Sequence, residues 1–248
     1  MPRAHTDREY EGELRRIREH ILLMGAKVEE ILSSAMRALV ERDSELAQET
    51  IYIDRQINRL EIETDDQCLR VLARRQPVAS DLRFITMVLK LVTDLERTGD
   101  LGVNICERVI ELNSEPQLIP NVELVNMAEV TQAMLREALD AFVHGDDERA
   151  ARVIERDSEV DAYHAAIFRS LLTYMMENPR NIFCATRLQS IAKYLERAAD
   201  HSTNVAEMVI FMVRGKDIRH VGKLDRKSVK PFPAELPSKR ALGAARKV

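Results

Sequence analysis

An internal repeat constrains this chain more than any other feature. Leu95-Glu96-Arg97-Thr98-Gly99-Asp100, continued by Asn104 and Glu107, returns as Leu195-Glu196-Arg197-Ala198-Ala199-Asp200, continued by Asn204 and Glu207. Every matched pair is 100 residues apart. On a helix turning about 100° per residue, positions i, i+4, i+8 and i+11 fall within roughly 80° of one another. Each copy therefore presents Glu, Asp, Asn and Glu as one ridge of oxygen atoms. Two carboxylates at i and i+4 repel by a few tenths of a kcal/mol on an isolated helix. Repeating that arrangement at matched positions implies a cation beside each ridge.

The ridge also lies near apolar surface. Ile85, Leu89, Val92, Val103 and Ile110 fall within about 40° of Glu96 by the same geometry, so the acids border the face the helix buries. Half-buried carboxylates are costly unless they are hydrogen-bonded, paired with cations or bound to a metal.

Periodicity extends the repeat to the whole chain. Apolar residues at i+3/i+4 steps predict a first helix over Tyr10–Arg42, and Asp43 or Ser44 caps a second that stops at Gln76-Pro77. Ser80 caps a third, which runs to about Leu112. The stretch Asn113 to Pro120 reads as a linker. Three more helices follow, from about Val122 to His144, Asp147 to Glu177 and Ile182 to Arg214, with Gly145, Asn178-Pro179 and Gly215 as stops. Asp43 matches Asp146 and Asp54 matches Asp157, each pair 103 apart. The second inter-helix turn is thus three residues shorter in the second half. Short turns make neighbouring helices antiparallel. The expected fold is all-α, with two tandem antiparallel three-helix bundles related by a pseudo-two-fold axis. Residues 1–115 form the first bundle, 116–214 the second, and 215–248 a basic tail broken by Pro231, Pro233 and Pro237.

A second polar pair sits on each middle helix: Asp54 and Asn58 in the first half, Asp157 and Asp161 in the second. Asp54 and Asp100 lie some 22 and 23 residues from the Gln76-Pro77 turn, so both are roughly 33 Å from the same hairpin end. Asp157 and Asp200 flank Asn178-Pro179 in the same way. Two four-residue clusters are expected: Asp54, Asn58, Glu96, Asp100 and Asp157, Asp161, Glu196, Asp200. Ligation by oxygen alone suits Mg²⁺, Mn²⁺ or Fe better than a thiolate-seeking metal.

Composition narrows the alternatives. Of 248 residues, 31% are charged and 4% aromatic, with no Trp, a profile of long amphipathic helices. A net charge of −4 argues against a dedicated nucleic-acid binder. The three cysteines, Cys68, Cys106 and Cys184, form no C-x-x-C pair and read as reduced thiols of a cytoplasmic protein. No apolar run is long enough to span a bilayer, and no Gly-rich phosphate loop is present. A ferritin-like di-metal oxidase requires two Glu-x-x-His motifs on facing helices. Asp161-Ala162-Tyr163-His164 is the nearest approach, and Glu61 stands where His164 does in the first half. A metal-free helical scaffold, its acids making only salt bridges, is the other rival. The tail, with Lys223, Arg226, Lys227, Lys230, Lys239, Arg240, Arg246 and Lys247, suits an acidic partner or membrane surface if it has a task.

The twin Glu-Arg-x-x-Asp motifs, together with Gln76-Pro77-Val78-Ala79-Ser80-Asp81-Leu82-Arg83, resemble the PhoU family of bacterial phosphate-signalling proteins. Leu172-Thr173-Tyr174-Met175-Met176-Glu177 and Gly215-Lys216-Asp217-Ile218-Arg219-His220-Val221 resemble its proteobacterial members. The resemblance covers nearly the full chain. It implies a non-enzymatic cytoplasmic regulator that represses the phosphate regulon when phosphate is plentiful. The implied partners are the ATPase subunit of the phosphate ABC transporter and a sensor histidine kinase, and the implied assembly is a homodimer. It also implies metal clusters (Mg, Mn, Fe or Zn) held by the two residue sets above. Asn58 departs from the paired-acid pattern and removes one charge, so the first site is expected to bind metal more weakly than the second.

Overall fold

A computed structural model describes residues 4–118 and 122–215. It contains α1 (Ala4–Glu41), α2 (Ser44–Ile51), α3 (Asp54–Arg75), α4 (Ala79–Asn113), α5 (Val122–His144), α6 (Asp147–Glu177) and α7 (Ile182–Arg214). A 3₁₀ turn, Pro179–Asn181, joins the last two. No strand occurs among the described residues. The tail predicted beyond Gly215 lies outside them.

Sequence signals mark most of the helix ends. The Asp43 carboxylate accepts from the backbone N–H groups of Glu45 and Leu46, and Asp146, its repeat partner, accepts from Arg149 N–H. Each satisfies orphan donors at a helix start. Gly145 and Gly215 adopt positive φ (62° and 65°) where α5 and α7 stop. Arg42 takes the left-handed conformation (φ 56°) at the position where the second half has Gly145. That conformation is unfavourable for a side chain with a Cβ. Its guanidinium offsets the cost by donating to the carbonyls of Leu112, Asn113 and Glu115, capping the C-terminus of α4.

Three expected boundaries differ. α1 begins at Ala4 rather than Tyr10. The single helix predicted from Asp43 to Gln76 is broken at Tyr52–Ile53, where Tyr52 and Ile53 bond back three residues to Glu49 and Thr50. Thr50-Ile51-Tyr52-Ile53 is a run of β-branched and aromatic residues that loses side-chain freedom in a helix. The second half has Glu155-Arg156 at the positions of Tyr52-Ile53, and α6 runs unbroken. Ser80 is not an N-cap. Val78 occupies that position in extended conformation with no side-chain cap, and Ser80 lies inside the first turn.

α1, α2–α3 and α4 form one antiparallel bundle and α5, α6 and α7 the other. They share a continuous core, because α4 packs on α7 and α1 on α5. α4 and α7 run antiparallel: Glu111 pairs with Arg187 at one end, Asp94 meets His201 further along, and Arg83 lies beside Gly215 at the other. Thr98 and Ala198, matched positions of the repeat, are both buried. On the other side of the core, Arg136 of α5 pairs with Glu29 of α1, and Phe84 of α4 stacks on Phe142 of α5 at 5.9 Å. α3 and α6 are left on the outer flanks, and each presents its polar stripe to the third helix of its own bundle.

Gly99 shows how closely α3 and α4 approach. A Cβ there would stand 2.9 Å from Ile57 Cδ1 and 3.5 Å from Asp54 Oδ1. The second bundle exchanges one methyl group across the same contact, with Ala199 and Val160, both buried, in place of Gly99 and Ile57. Gly99→Ala alone should therefore lose about 1 kcal/mol through overpacking. Adding Ile57→Val should restore wild-type stability or better, since alanine gains about 1 kcal/mol over glycine in a helix. Urea denaturation of both variants tests this, and a double variant no more stable than the single contradicts it.

Candidate metal centres

The first cluster lies between α3 and α4. Asp54, Asn58 and Glu96 are half-buried, and Asp100 is exposed at the mouth. The Asn58 amide donates to Asp54 Oδ2 at 2.8 Å. The remaining carboxylate oxygen of Asp54 and the carbonyl oxygen of Asn58 are both buried without a hydrogen-bond partner. Burial, and then the negative charge of Asp100, pushes the Asp54 carboxyl above the ordinary range despite the Asn58 hydrogen bond. Glu96 is raised by burial and by Asp100, Glu61 and Asp54, against a smaller opposing effect of Arg97. These acids feel one another across the helix pair, as the hairpin count required.

Glu61 belongs to the same field. Burial raises its carboxyl, as do Asp65 and Asp100, and Asp65 is itself raised by burial. Asp54, Asn58, Glu61 and Asp65 stand at i, i+4, i+7 and i+11, which turns them within about 60° of one another. That spacing is legible in the sequence, although the repeat pairs Glu61 with His164 and not with an acid.

The second cluster lies between α6 and α7. Asp157 and Glu196 are half-buried, Asp161 and Asp200 exposed. Asp157 is pushed up to about 6 by burial and then by Asp200, Asp161 and Glu196. Asp200 is raised by burial and Glu196, partly opposed by Lys193 and His201. Lys193 pairs with Glu196 one turn along α7, a cation that the first site lacks because Thr93 occupies the matching position. His164 Nε2 lies 2.9 Å from the Gln189 amide nitrogen, which holds the ring as a packed edge residue.

Among the described residues, no three His, Cys, Asp or Glu side chains close on one point tightly enough to grip an ion. The carboxylates of each site are spread as facing rows on two helices. The donor set nonetheless fits a hard or borderline cation. It is all oxygen, the Asp54 and Asp157 carboxyls are raised by burial and then by neighbouring acids, and Asp54 and Asn58 each hold an unpartnered buried oxygen.

A polar contact that periodicity did not reveal joins the bundles. His201 Nδ1 and Asp94 Oδ1 are 2.7 Å apart between α7 and α4, and Asn204 donates to the same oxygen at 3.3 Å. Asp94 and His201 are both buried. Asp94 stands two residues before Glu96 and His201 directly after Asp200, so this contact ties the helix of one cluster to that of the other.

The PhoU domain model matches residues 21–109 and again 124–209. The chain belongs to the PhoU family. A phosphate-specific transport system accessory protein PhoU homolog from Pseudomonas aeruginosa is 43% identical over 219 residues, spanning 88% of this chain and 90% of that protein. The Escherichia coli K12 protein, named phosphate-specific transport system accessory protein PhoU, is 37% identical over 218 residues, with 88% and 90% covered. The crystal structure of PhoU from Pseudomonas aeruginosa superposes with a TM-score of 0.81 over 84% of this chain and all of that one. The Streptococcus pneumoniae phosphate transport system regulatory protein PhoU, 29% identical, gives 0.79 over 84% and 99%. The two separate PhoU matches coincide with the two bundles, so the duplication read from the 100-residue offset is a duplication of the family's own domain.

Proposed function

We propose that this PhoU-family chain is a non-enzymatic accessory regulator of phosphate uptake. In this reading it works in the cytoplasm, as a homodimer, between the ATPase subunit of a phosphate ABC transporter and a sensor histidine kinase. It represses the phosphate-starvation response when phosphate is plentiful. The observation that carries the reading is the match across both bundles to accessory proteins of phosphate-specific transport. Consistent with a peripheral role, no described helix is long and apolar enough to cross a membrane. An oxidase of ferritin type draws no support from the clusters, since Glu61 replaces the histidine on α3 and no Glu-x-x-His occurs in the sequence.

Each cluster would hold metal through the residues already named, Asp54, Asn58, Glu96 and Asp100 in one bundle and Asp157, Asp161, Glu196 and Asp200 in the other. A bound cation would supply charge neutralisation and a cross-link between two helices, stiffening the outer face of each bundle for docking.

Affinity capture from phosphate-replete cells tests the role. Tagged wild-type protein should recover the transporter ATPase and the kinase, identified by mass spectrometry. Glu96→Ala and Glu196→Ala should each reduce recovery several-fold. Recovery of neither partner above an unrelated helical bait would overturn the assignment.

A further inference from the structure

The seam between the bundles opens into a cleft of about 340 Å³ lined by Leu89, Lys90, Thr93, Asp94, Arg97, Asn204 and Met208. This is at the small end of the range for small-molecule sites, roughly 300–1,000 Å³. Its α4 residues turn toward α7, with Leu89 and Thr93 only about 20° and 60° around the helix from Glu96, so the cleft adjoins the first carboxylate cluster without including any of its residues.

Its polar residues on α4 share one stripe. Lys90, Thr93, Asp94 and Arg97 stand at i, i+3, i+4 and i+7, which brings them onto one face of α4. Among the described residues, neither Lys90 nor Arg97 forms an ion pair or hydrogen bond, although the chain carries more acids than bases. The pseudo-symmetric surface behaves differently. Arg108, at the position of Met208, is paired with Glu107 and Glu111, and Lys193, at the position of Thr93, with Glu196. Arg197, at the position of Arg97, is likewise unpaired among the described residues, and Ser190 stands at the position of Lys90, so this side carries two unpaired cations where the other carries one.

Among the described residues, the one acid lining the cleft is already engaged. Asp94 Oδ1 meets His201 at 2.7 Å and accepts from Asn204 at 3.3 Å. That contact turns the Asn204 amide nitrogen toward the cleft, where its second N–H is available, because an amide carries two. The Thr93 hydroxyl makes only a long bond, 3.3 Å, to the Leu89 carbonyl and can donate elsewhere. An ammonium, a guanidinium, a hydroxyl and an amide N–H around one space are the donors a tetrahedral oxyanion requires. Leu89 and Met208 add an apolar wall suited to the carbon part of an ester.

We propose that this inter-bundle cleft binds a small phosphoryl oxyanion, free or carried on a small ester, through Lys90, Thr93, Arg97 and Asn204. The site joins α4 to α7, so its occupant contacts both bundles at once. The inference rests on the cleft alone and stands whether or not the carboxylate clusters hold metal.

Calorimetric titration of chelator-treated, full-length protein in phosphate-free buffer tests it, since chelation removes any metal-bridged anion. Inorganic phosphate and glycerol 3-phosphate are titrated separately, with acetate as the carboxylate control. Saturable binding is expected for at least one phosphoryl ligand, and the tighter of the two identifies the source. Lys90→Gln and Arg97→Gln, both at exposed positions, should each weaken it at least tenfold while leaving the melting temperature unchanged. Absence of saturable binding by both phosphoryl ligands, equal affinity in the variants, or acetate binding as tightly as phosphate would each overturn the proposal.

Discussion

Gly102→Val should destabilise the fold by about 3 kcal/mol, which for a chain of this size lowers the melting temperature by roughly 6–12 °C. A Cβ on Gly102 would stand 2.2 Å from Ile31 Cγ2, 3.3 Å from Ile31 Cβ and 3.7 Å from Leu32 Cδ2. Ile31 and Leu32 are fully buried on α1 and have no free space to yield. Isoleucine is also stiff at χ1, so its γ-methyl cannot swing aside without leaving its rotamer well. α1 and α4 can approach this closely only because position 102 lacks a side chain. Valine adds three carbon atoms where the first already collides. The control is Gly12→Ala on the same α1, where a Cβ meets nothing within 4 Å. That variant should gain about 0.5–1 kcal/mol from helix propensity. Ile31→Ala removes the clashing methyl, so Gly102→Val should cost markedly less in that background. A Gly102→Val protein that melts within 2 °C of wild type would show that the two helices are not locked at this contact.

The same contact shows why the architecture was legible while its closest approaches were not. The offsets of 100 and 103 residues and the apolar periodicity fix which segments are helical and that they repeat, because both follow from one chain direction and one pitch. α5 and α6 have the expected ends, Val122–His144 and Asp147–Glu177. The break at Tyr52–Ile53 was missed because its cause is local crowding inside an otherwise regular apolar stripe. Gly102 reads as an ordinary weak helix residue until Ile31 is placed against it.

The candidate sites divide the same way. Hairpin counting puts Asp54 beside Asp100 and Asp157 beside Asp200, and the structure bears the proximity out: after burial, Asp100 is what raises the Asp54 carboxyl and Asp200 what raises that of Asp157. Asp94 carried a signal of its own, an acid among Leu91, Val92, Leu95 and Thr98 on a buried stripe. Its partner His201 lies on the other bundle, 107 residues away. No count within one hairpin reaches across that seam. Glu61 is a different case: its i+7 relation to Asp54 is legible in the sequence, but the other half has a histidine at the matching position, so the repeat does not mark it.

Metal should raise the melting temperature of chelator-treated protein, and Asp157→Ala should abolish more of that rise than Asp54→Ala. Ligand at a hundred times its dissociation constant stabilises by about 2.7 kcal/mol per site, roughly 5–10 °C here. The asymmetry follows from charge. Asp157 is paired with Asp161, whereas Asp54 is paired with neutral Asn58, whose amide already occupies Asp54 Oδ2. The metal-free protein should respond to pH with the opposite sign from an ordinary salt-bridged fold. Asp157 is held at about 6 when folded, against roughly 3.9 unfolded. The folded state therefore binds the proton more tightly, and stability increases as pH falls from 7.5 through 6 toward 4. Asp54, Glu61, Glu96 and Asp200 are raised as well and act in the same direction. Because Asp157 keeps substantial contact with water, screening reduces its share to about 1 kcal/mol. Asp157→Asn should accordingly stabilise the metal-free protein by about that much at pH 7.5, with the gain vanishing near pH 4. With metal present the trend reverses, because protons compete with the cation for the same oxygens. Manganese titrations followed by differential scanning fluorimetry at pH 5.5 and 7.5 read both effects together. Equal losses from Asp54→Ala and Asp157→Ala would remove the asymmetry, and a metal-free protein less stable at pH 5.5 than at 7.5 would remove the strained-carboxylate picture itself.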